Sequence, residues 1–172
     1  MSPKISTTID LAKLAPASTR PRDLLLACFH QAVARGLRVR DRGGYGAGIE
    51  RDPETGQWVP GPDLTVDLAG AVALALQPDR RAPGREGEDP DIVMAARALD
   101  VHWWWMLGAI DGFANASTPT LEQGASRSDY RDGVRAGHLL YAAVTIDCPV
   151  CGTRRFPEWG SCDCARMRRP RE

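Results

Sequence analysis

The sequence lacks the long apolar run that a membrane-spanning helix requires. About 18 consecutive apolar residues are needed, and the nearest segment, residues 101–116, is interrupted by His102, Asp111 and Asn115. Residues 1–20 contain no extended apolar core and include an acidic residue, so they do not resemble a secretory signal. These absences predict a cytoplasmic protein with no membrane partner.

The sequence also lacks net charge. Its 172 residues carry 22 Lys and Arg against 22 Asp and Glu, so no global electrostatic field favours nucleic acid or membranes. The charge is unevenly spread, because residues 148–172 hold six arginines against three acidic residues, a net of +3. The six are Arg154, Arg155, Arg166, Arg168, Arg169 and Arg171.

No catalytic signature is present in the sequence. Neither the HExxH pattern of zinc proteases nor the GxSxG pattern of hydrolases occurs. His30, His102 and His138 are scattered among apolar helical segments, where we expect partly buried helix residues rather than metal ligands or bases. The sequence therefore predicts a protein that is not an enzyme.

Apolar residues recur at helical spacing and predict a mainly α fold with about four helices. The expected helices begin near Ser18 or Thr19, at Asp63, at Asp89 and between Ser126 and Ser128. The third is expected to reach the tryptophan segment, with a break near Asp100. Residues 49–59 predict a small β-hairpin around the turn sequence DPETG.

Composition divides the chain into three parts. Residues 1–19, rich in Ser, Thr, Pro and Ala, predict a flexible arm, and residues 20–145 hold the predicted helices and hairpin. Residues 146–172 contain the clustered cysteines and a basic tail. A segment this short cannot bury a sufficient core by itself, so it needs a stabilising cross-link such as a bound metal ion.

Four of the five cysteines predict this metal site. They follow the pattern C-x2-C-x10-C-x-C at Cys148, Cys151, Cys162 and Cys164. Four thiolates complete the ligand shell of a closed, tetrahedral zinc site. The CPVCG sequence allows the backbone to bend so that the first two sulfurs face one ion. We expect Phe156 and Trp159 to cover the metal.

Two alternatives to zinc remain at the sequence level. Two disulfides are disfavoured because cytoplasmic thiols stay reduced, whereas iron also accepts four thiolates. A closed shell leaves no position for a reactive water, which disfavours metal-assisted hydrolysis. The fifth cysteine, Cys28, lies on the apolar face of the first predicted helix and is expected in the core.

Two segments resemble known families. DCPVCGTRRFPEWGSCDC resembles zinc-ribbon and rubredoxin-like knuckle modules, and this resemblance implies a zinc-held hairpin of a kind that contacts nucleic acids or proteins. GIERDPETGQWVPGPD followed by DLAGAVALAL resembles a family of small bacterial and phage proteins of uncharacterised function, in which a charged hairpin precedes an alanine-rich helix. That family's usual Trp-Cys pair at the helix is absent here.

Three consecutive tryptophans, Trp103, Trp104 and Trp105, allow two interpretations. Consecutive helix residues point about 100° apart, which suits a segment buried on several sides. Tryptophan is also enriched where proteins bind one another, so the run is a candidate partner anchor.

These observations favour a non-enzymatic, zinc-stabilised binding module. The basic segment, through Arg154, Arg155, Arg166, Arg168 and Arg169, is predicted to engage nucleic acid or a nucleic-acid-associated assembly. The alternative is a protein–protein adaptor, or a structural component of a larger assembly such as a phage particle, that uses the tryptophan segment.

Overall fold

A computed structural model describes residues 20–40, 48–78, 90–114, 127–160, 162 and 164. These residues form five α-helices: α1 (Pro21–Ala34), α2 (Leu68–Leu76), α3 (Pro90–Ala98), α4 (Trp103–Phe113) and α5 (Ser128–Val144). They also form six short strands: β1 (Arg38–Val39), β2 (Ile49–Arg51), β3 (Trp58–Pro60), β4 (Thr65–Val66), β5 (Ile146–Asp147) and β6 (Arg154–Arg155). The predicted mainly helical fold is confirmed, with five helices in the described residues instead of about four. The predicted arm, residues 1–19, lies outside the described residues.

Helix α1 begins at Pro21 and leads into the core. Proline suits the first helical position, because the N–H that it lacks has no partner there. Cys28 and Phe29 are buried, which confirms the prediction that Cys28 is a core residue. Gly36, with φ +81°, follows the helix end, and this left-handed backbone is a conformation that glycine adopts readily.

Helix α2 is the centre of the core, and it begins later than the sequence predicted. The expected start was Asp63, but Thr65 and Val66 form β4, which pairs in parallel with β1. The helix begins at Leu68 because Asp67 caps it, its Oδ1 accepting a 2.7 Å hydrogen bond from the Gly70 amide. Every residue of α2 except the last is buried, and α1, α3 and α4 all contact it.

The hairpin predicted at residues 49–59 is present as antiparallel β2 and β3. Asp52 shapes its turn, since its Oδ1 accepts a 2.8 Å hydrogen bond from the Glu54 amide. Trp58 is buried, and its backbone exchanges two hydrogen bonds with the Gln77 side chain, of 2.8 and 2.9 Å. The hairpin is thereby fixed to the end of α2.

The fifth helix arises from the break near Asp100. Asp100 has φ +56°, a left-handed conformation that ends α3 and separates it from α4. His102 then caps α4, its Nδ1 accepting a 3.2 Å hydrogen bond from the Trp104 amide. The break expected near Asp100 is therefore present, and it divides the third predicted helical segment into α3 and α4.

Helices α4 and α5 make the most extensive contact among the described elements, and four glycines permit it. A Cβ on Gly108 would lie 2.2 Å from the Tyr130 carbonyl oxygen, and one on Gly133 would lie 2.0 Å from that of Trp105. Gly112 and Gly137 repeat the arrangement one turn further along. Across the same contact, Tyr130 donates a 2.5 Å hydrogen bond to the buried carboxylate of Asp111.

Candidate metal centre

A short hairpin after α5 carries the first two cysteines. Strands β5 and β6 pair antiparallel, with Asp147 opposite Arg154. Between them the Cys148 amide donates to the Thr153 carbonyl at 2.9 Å, and the Gly152 amide donates to the Cys148 carbonyl at 2.8 Å. Gly152 has φ +72°, so it supplies the left-handed residue that closes the turn. This local folding places Cys148 and Cys151 beside each other.

The structure brings all four predicted cysteine sulfurs together. They lie within 4.8 Å of one another, with 3.6 Å between Cys148 and Cys164 and 3.5 Å between Cys151 and Cys162. A tetrahedral ion with metal–sulfur bonds of about 2.3 Å needs sulfurs about 3.8 Å apart. The four thiols are free, not paired as disulfides. They could therefore hold a metal ion.

Backbone and side-chain donors surround the first two sulfurs. The Cys151 and Val150 amides donate to the Cys148 sulfur and lower the pKa of that thiol. Thr153 lies with its Oγ1 3.3 Å from the Cys151 sulfur. Its hydroxyl and amide, followed by contacts with Cys162 and Cys164, lower the pKa of Cys151 to about 6. Such donors stabilise thiolates, the form that binds metals.

The four sulfurs differ in how readily they lose their protons. Proximity to the Cys162 thiol is the main cause that raises the pKa of Cys164 to about 12. Four sulfurs this close cannot all carry negative charge without a compensating positive charge. A divalent ion held by the four cysteines would supply that charge, and its binding would release the remaining protons.

Phe156 is buried in the aromatic part of the core. This side chain, which the sequence placed over the metal, packs among the rings of Phe29, Phe113 and Tyr141, at centroid distances of 6.3, 5.8 and 5.8 Å. Phe156 thus fixes the cysteine hairpin to α1, α4 and α5. The side chain of Trp159, the other expected cover, lies outside the described part of the structure.

Two of the predicted partner-binding arginines are engaged within the hairpin. Arg154 Nε lies 3.2 Å from the Asp147 carboxylate, and the Arg155 guanidinium donates to the Gly160 carbonyl. Arg166, Arg168 and Arg169, the other predicted contacts, lie outside the described residues. The structure therefore does not bring the five arginines into one described surface.

The tryptophan run is divided between core and surface. Trp104 is buried and meets Tyr130 edge-on, with the Arg127 guanidinium 5.5 Å from its ring centre. Trp103 stacks on Trp104 at 4.2 Å, and both Trp103 and Trp105 are partly buried. A partner could therefore reach Trp103 and Trp105 but not the Trp104 ring.

Thr153 and Phe156 are the site residues whose roles the sequence reasoning missed. The CPVCG turn was a local signal for Thr153, which directly follows the glycine. Phe156 directly follows strand β6, and no local pattern specified that it would enter the core of the helical body.

Comparisons with known protein families, curated proteins and solved structures find no match for this chain. Among the described helices, none is long and apolar enough to cross a membrane.

Proposed function

We propose that Cys148, Cys151, Cys162 and Cys164 hold one structural zinc ion and that the chain is a non-enzymatic binding protein. The observation that carries this proposal is the sulfur spacing, which suits a single tetrahedral ion. A multi-iron cluster fits less well, because its irons take separate thiolates and spread them further apart. Four sulfur ligands also leave no open coordination position for substrate.

Elemental analysis of protein purified without added metal tests the site. We expect close to one zinc per chain in the wild type and a large loss in Cys151→Ser. Cys28→Ser is the matched control, because it also removes one thiol but lies in the helical core. One equivalent of iron would replace zinc in the proposal, whereas a metal-free protein with an ordered hairpin would refute it.

The nucleic-acid role rests on the distribution of charge. Four thiolates and one zinc ion together carry −2, which reduces the +3 of residues 148–172 to a formal net of about +1. Arg154 and Arg155 already have partners within the hairpin. The basic character is therefore concentrated after the last cysteine, in Arg166, Arg168, Arg169 and Arg171.

We infer that these last arginines make the contact with nucleic acid. Arginine suits phosphate because its planar fork can bind two oxygens. A metal ion bound by Cys164 would fix the chain directly before these arginines, which would lower the ordering cost of binding. Overall neutrality gives no long-range steering, so affinity should be modest.

Titration against short DNA and RNA over a salt series tests this role. Wild-type affinity should fall with rising salt, and Arg166→Ala/Arg168→Ala/Arg169→Ala should flatten the slope by roughly one unit per lost phosphate contact. The control, Arg38→Ala/Arg131→Ala/Arg135→Ala, removes the same charge from exposed positions of the body. It should retain the wild-type slope.

Two outcomes would contradict the nucleic-acid role. One is no binding by the wild type at low salt, and the other is an equal loss in both triple variants. The protein–protein adaptor function would then be favoured over the nucleic-acid role. Trp103 and Trp105 would be the surface residues to replace first.

A further inference from the structure

The four cysteines of the candidate metal centre differ in their access to solvent. Cys148 is only 5% exposed, and its sulfur accepts hydrogen bonds from the Cys151 and Val150 amides. Cys162 and Cys164 are partly buried, whereas Cys151 is exposed in the turn between β5 and β6. A small reactive solute therefore reaches the Cys151 sulfur more readily than the other three.

The sulfur atoms also approach one another in two pairs. Cys151 lies 3.5 Å from Cys162, and Cys148 lies 3.6 Å from Cys164. Each pair joins a cysteine of the β5–β6 turn to one of the two cysteines after Gly160. A disulfide bond is about 2.05 Å long, so the sulfurs of either pair must approach by about 1.5 Å to form one. The pair that includes the exposed cysteine is Cys151 with Cys162.

We propose that Cys151 and Cys162 are a peroxide-sensitive thiol pair, whose oxidation to a disulfide expels the metal ion. This inference rests on the proposed zinc site, because it concerns how that site is emptied. Four sulfur ligands leave no open position on the ion, and the thiolate is the nucleophilic form of cysteine. An oxidant therefore reacts at the exposed Cys151 sulfur and not at the ion.

Hydrogen peroxide is the only co-reactant that this oxidation needs. The Cys151 thiolate attacks one peroxide oxygen and breaks the O–O bond, which gives a sulfenic acid and a hydroxide that takes a proton from solvent. The Cys162 thiolate then attacks the Cys151 sulfur, so the S–S bond forms, the S–O bond breaks and a second hydroxide is protonated. Two thiolates lose two electrons, one peroxide gains them, and two protons from solvent complete two waters.

The disulfide removes two of the four metal ligands. Cys148 and Cys164 alone cannot complete a tetrahedral shell, so the ion dissociates and their thiolates take up protons. The new bond still joins the β5–β6 turn to the last cysteines, and Phe156 still packs against α1, α4 and α5. Oxidation therefore exchanges a metal cross-link for a covalent one while the helical body stays folded.

Peroxide titration of the zinc-loaded full chain tests the proposal. One zinc ion should be released for each disulfide formed, and fragmentation of the linked peptides in mass spectrometry should identify the bond as Cys151–Cys162. Cys28, which is 0% exposed, should remain reduced as an internal control. A first disulfide with any other connectivity would overturn the proposal. Zinc release without a disulfide, or a disulfide without zinc release, would also overturn it, as would no reaction with peroxide.

Two serine variants separate the thiol pair from the loss of a metal ligand. Cys162→Ser and Cys164→Ser each remove one sulfur from the site, but only the first removes the proposed partner of Cys151. Cys164→Ser should still form the Cys151–Cys162 disulfide. Cys162→Ser should instead leave a sulfenic acid on Cys151 that dimedone captures. Equal capture by dimedone in the two variants, or capture mainly on Cys148, would contradict the assignment.

The zinc site and the thiol pair fail in different ways. Protein that contains no metal as purified would refute the zinc site and the release step, but its disulfide connectivity after oxidation would still decide whether Cys151 pairs with Cys162. Protein that holds one zinc ion and forms a different disulfide would retain the zinc site and refute the pair.

Discussion

The absence of a side chain at four positions sets the distance between α4 and α5. Gly108 and Gly133 each face a backbone carbonyl of the other helix, at a separation that would leave a Cβ only 2.2 and 2.0 Å from oxygen. Neither oxygen belongs to a flexible side chain, so the overlap could be relieved only by moving a helix. The buried Tyr130–Asp111 hydrogen bond spans the same contact and depends on the same spacing.

Gly133→Ala should therefore destabilise the protein. Alanine normally stabilises a helix by up to about 1 kcal/mol relative to glycine, but overpacking in a core costs about 1–3 kcal/mol. We expect a net loss of unfolding free energy in urea titration. The neighbouring exposed substitution Arg131→Ala should change it by no more than about 0.5 kcal/mol. Stabilisation by Gly133→Ala would show that the helices can separate freely.

The buried thiol of Cys28 should make the unfolding free energy fall as the pH rises in the alkaline range. Burial raises the pKa of its thiol from 9.0 to about 12. The unfolded thiol ionises at the lower pH, so the unfolded state binds fewer protons between these values. The stabilising contribution is thus complete below pH 9 and is lost as pH rises towards 12.

Comparison of the wild type with Cys28→Ala isolates this contribution. Although the variant loses packing at all pH values, its unfolding free energy should fall less steeply with pH above pH 9. The thiols of the metal site titrate in both proteins and cancel in the difference. Parallel pH profiles would indicate that Cys28 ionises without leaving the core.

Among the elements, the cysteine hairpin is held to the helical body by packing, in addition to the proposed metal ion. Phe156 inserts between Phe29, Phe113 and Tyr141, so the hairpin shares the core of the helical body. Sequence composition alone assigned residues 20–145 and 146–172 to separate units. The ring contacts couple them mechanically.

Phe156→Ala should weaken both the core and the placement of the hairpin. Removing a buried phenylalanine side chain costs about 3–5 kcal/mol, and we expect a corresponding loss in urea unfolding together with faster proteolysis after α5. Val150→Ala is a fitting control, because Val150 is in the same hairpin and 48% exposed. Similar stabilities of the two variants would place Phe156 outside the core.

Local signals account for what the sequence predicted of these elements. Apolar periodicity, Pro21 and Asp100 indicated the helices and the break, and the DPETG turn indicated the β2–β3 hairpin. The β1–β4 pair was not predicted, because two-residue strands from distant segments depend on tertiary contacts rather than on local pattern. That pairing also explains the late start of α2.

The candidate metal site likewise has features that the sequence predicted and features that it did not. Cysteine spacing alone predicted which four sulfurs meet, since each pair is local in sequence. The position of Phe156 depends on three helices that converge from distant parts of the chain, and no spacing rule encodes this. The partition of Trp103, Trp104 and Trp105 between core and surface likewise depends on the packing of α4 against α5.

At the scale of the whole molecule, the metal should stabilise only part of the structure. The apolar core is formed mainly by α1–α4 and the inner face of α5, whereas the hairpin contributes mainly Phe156. Removing the metal with a chelator should therefore leave most helical circular dichroism intact. Residues 146–164 should become sensitive to protease.

Cys151→Ser should reproduce this pattern without a chelator. It removes one ligand but no side chain of the helical core. Global unfolding of either the chelated protein or the variant would show that the metal centre and the helices form one cooperative unit.

The glycine contact also has an evolutionary consequence. A relative could stabilise its hairpin without the cysteines, but any side chain at Gly108, Gly112, Gly133 or Gly137 would overlap the backbone of the facing helix. Relatives that keep this fold should therefore preserve two G-x3-G pairs, even where the cysteines have diverged.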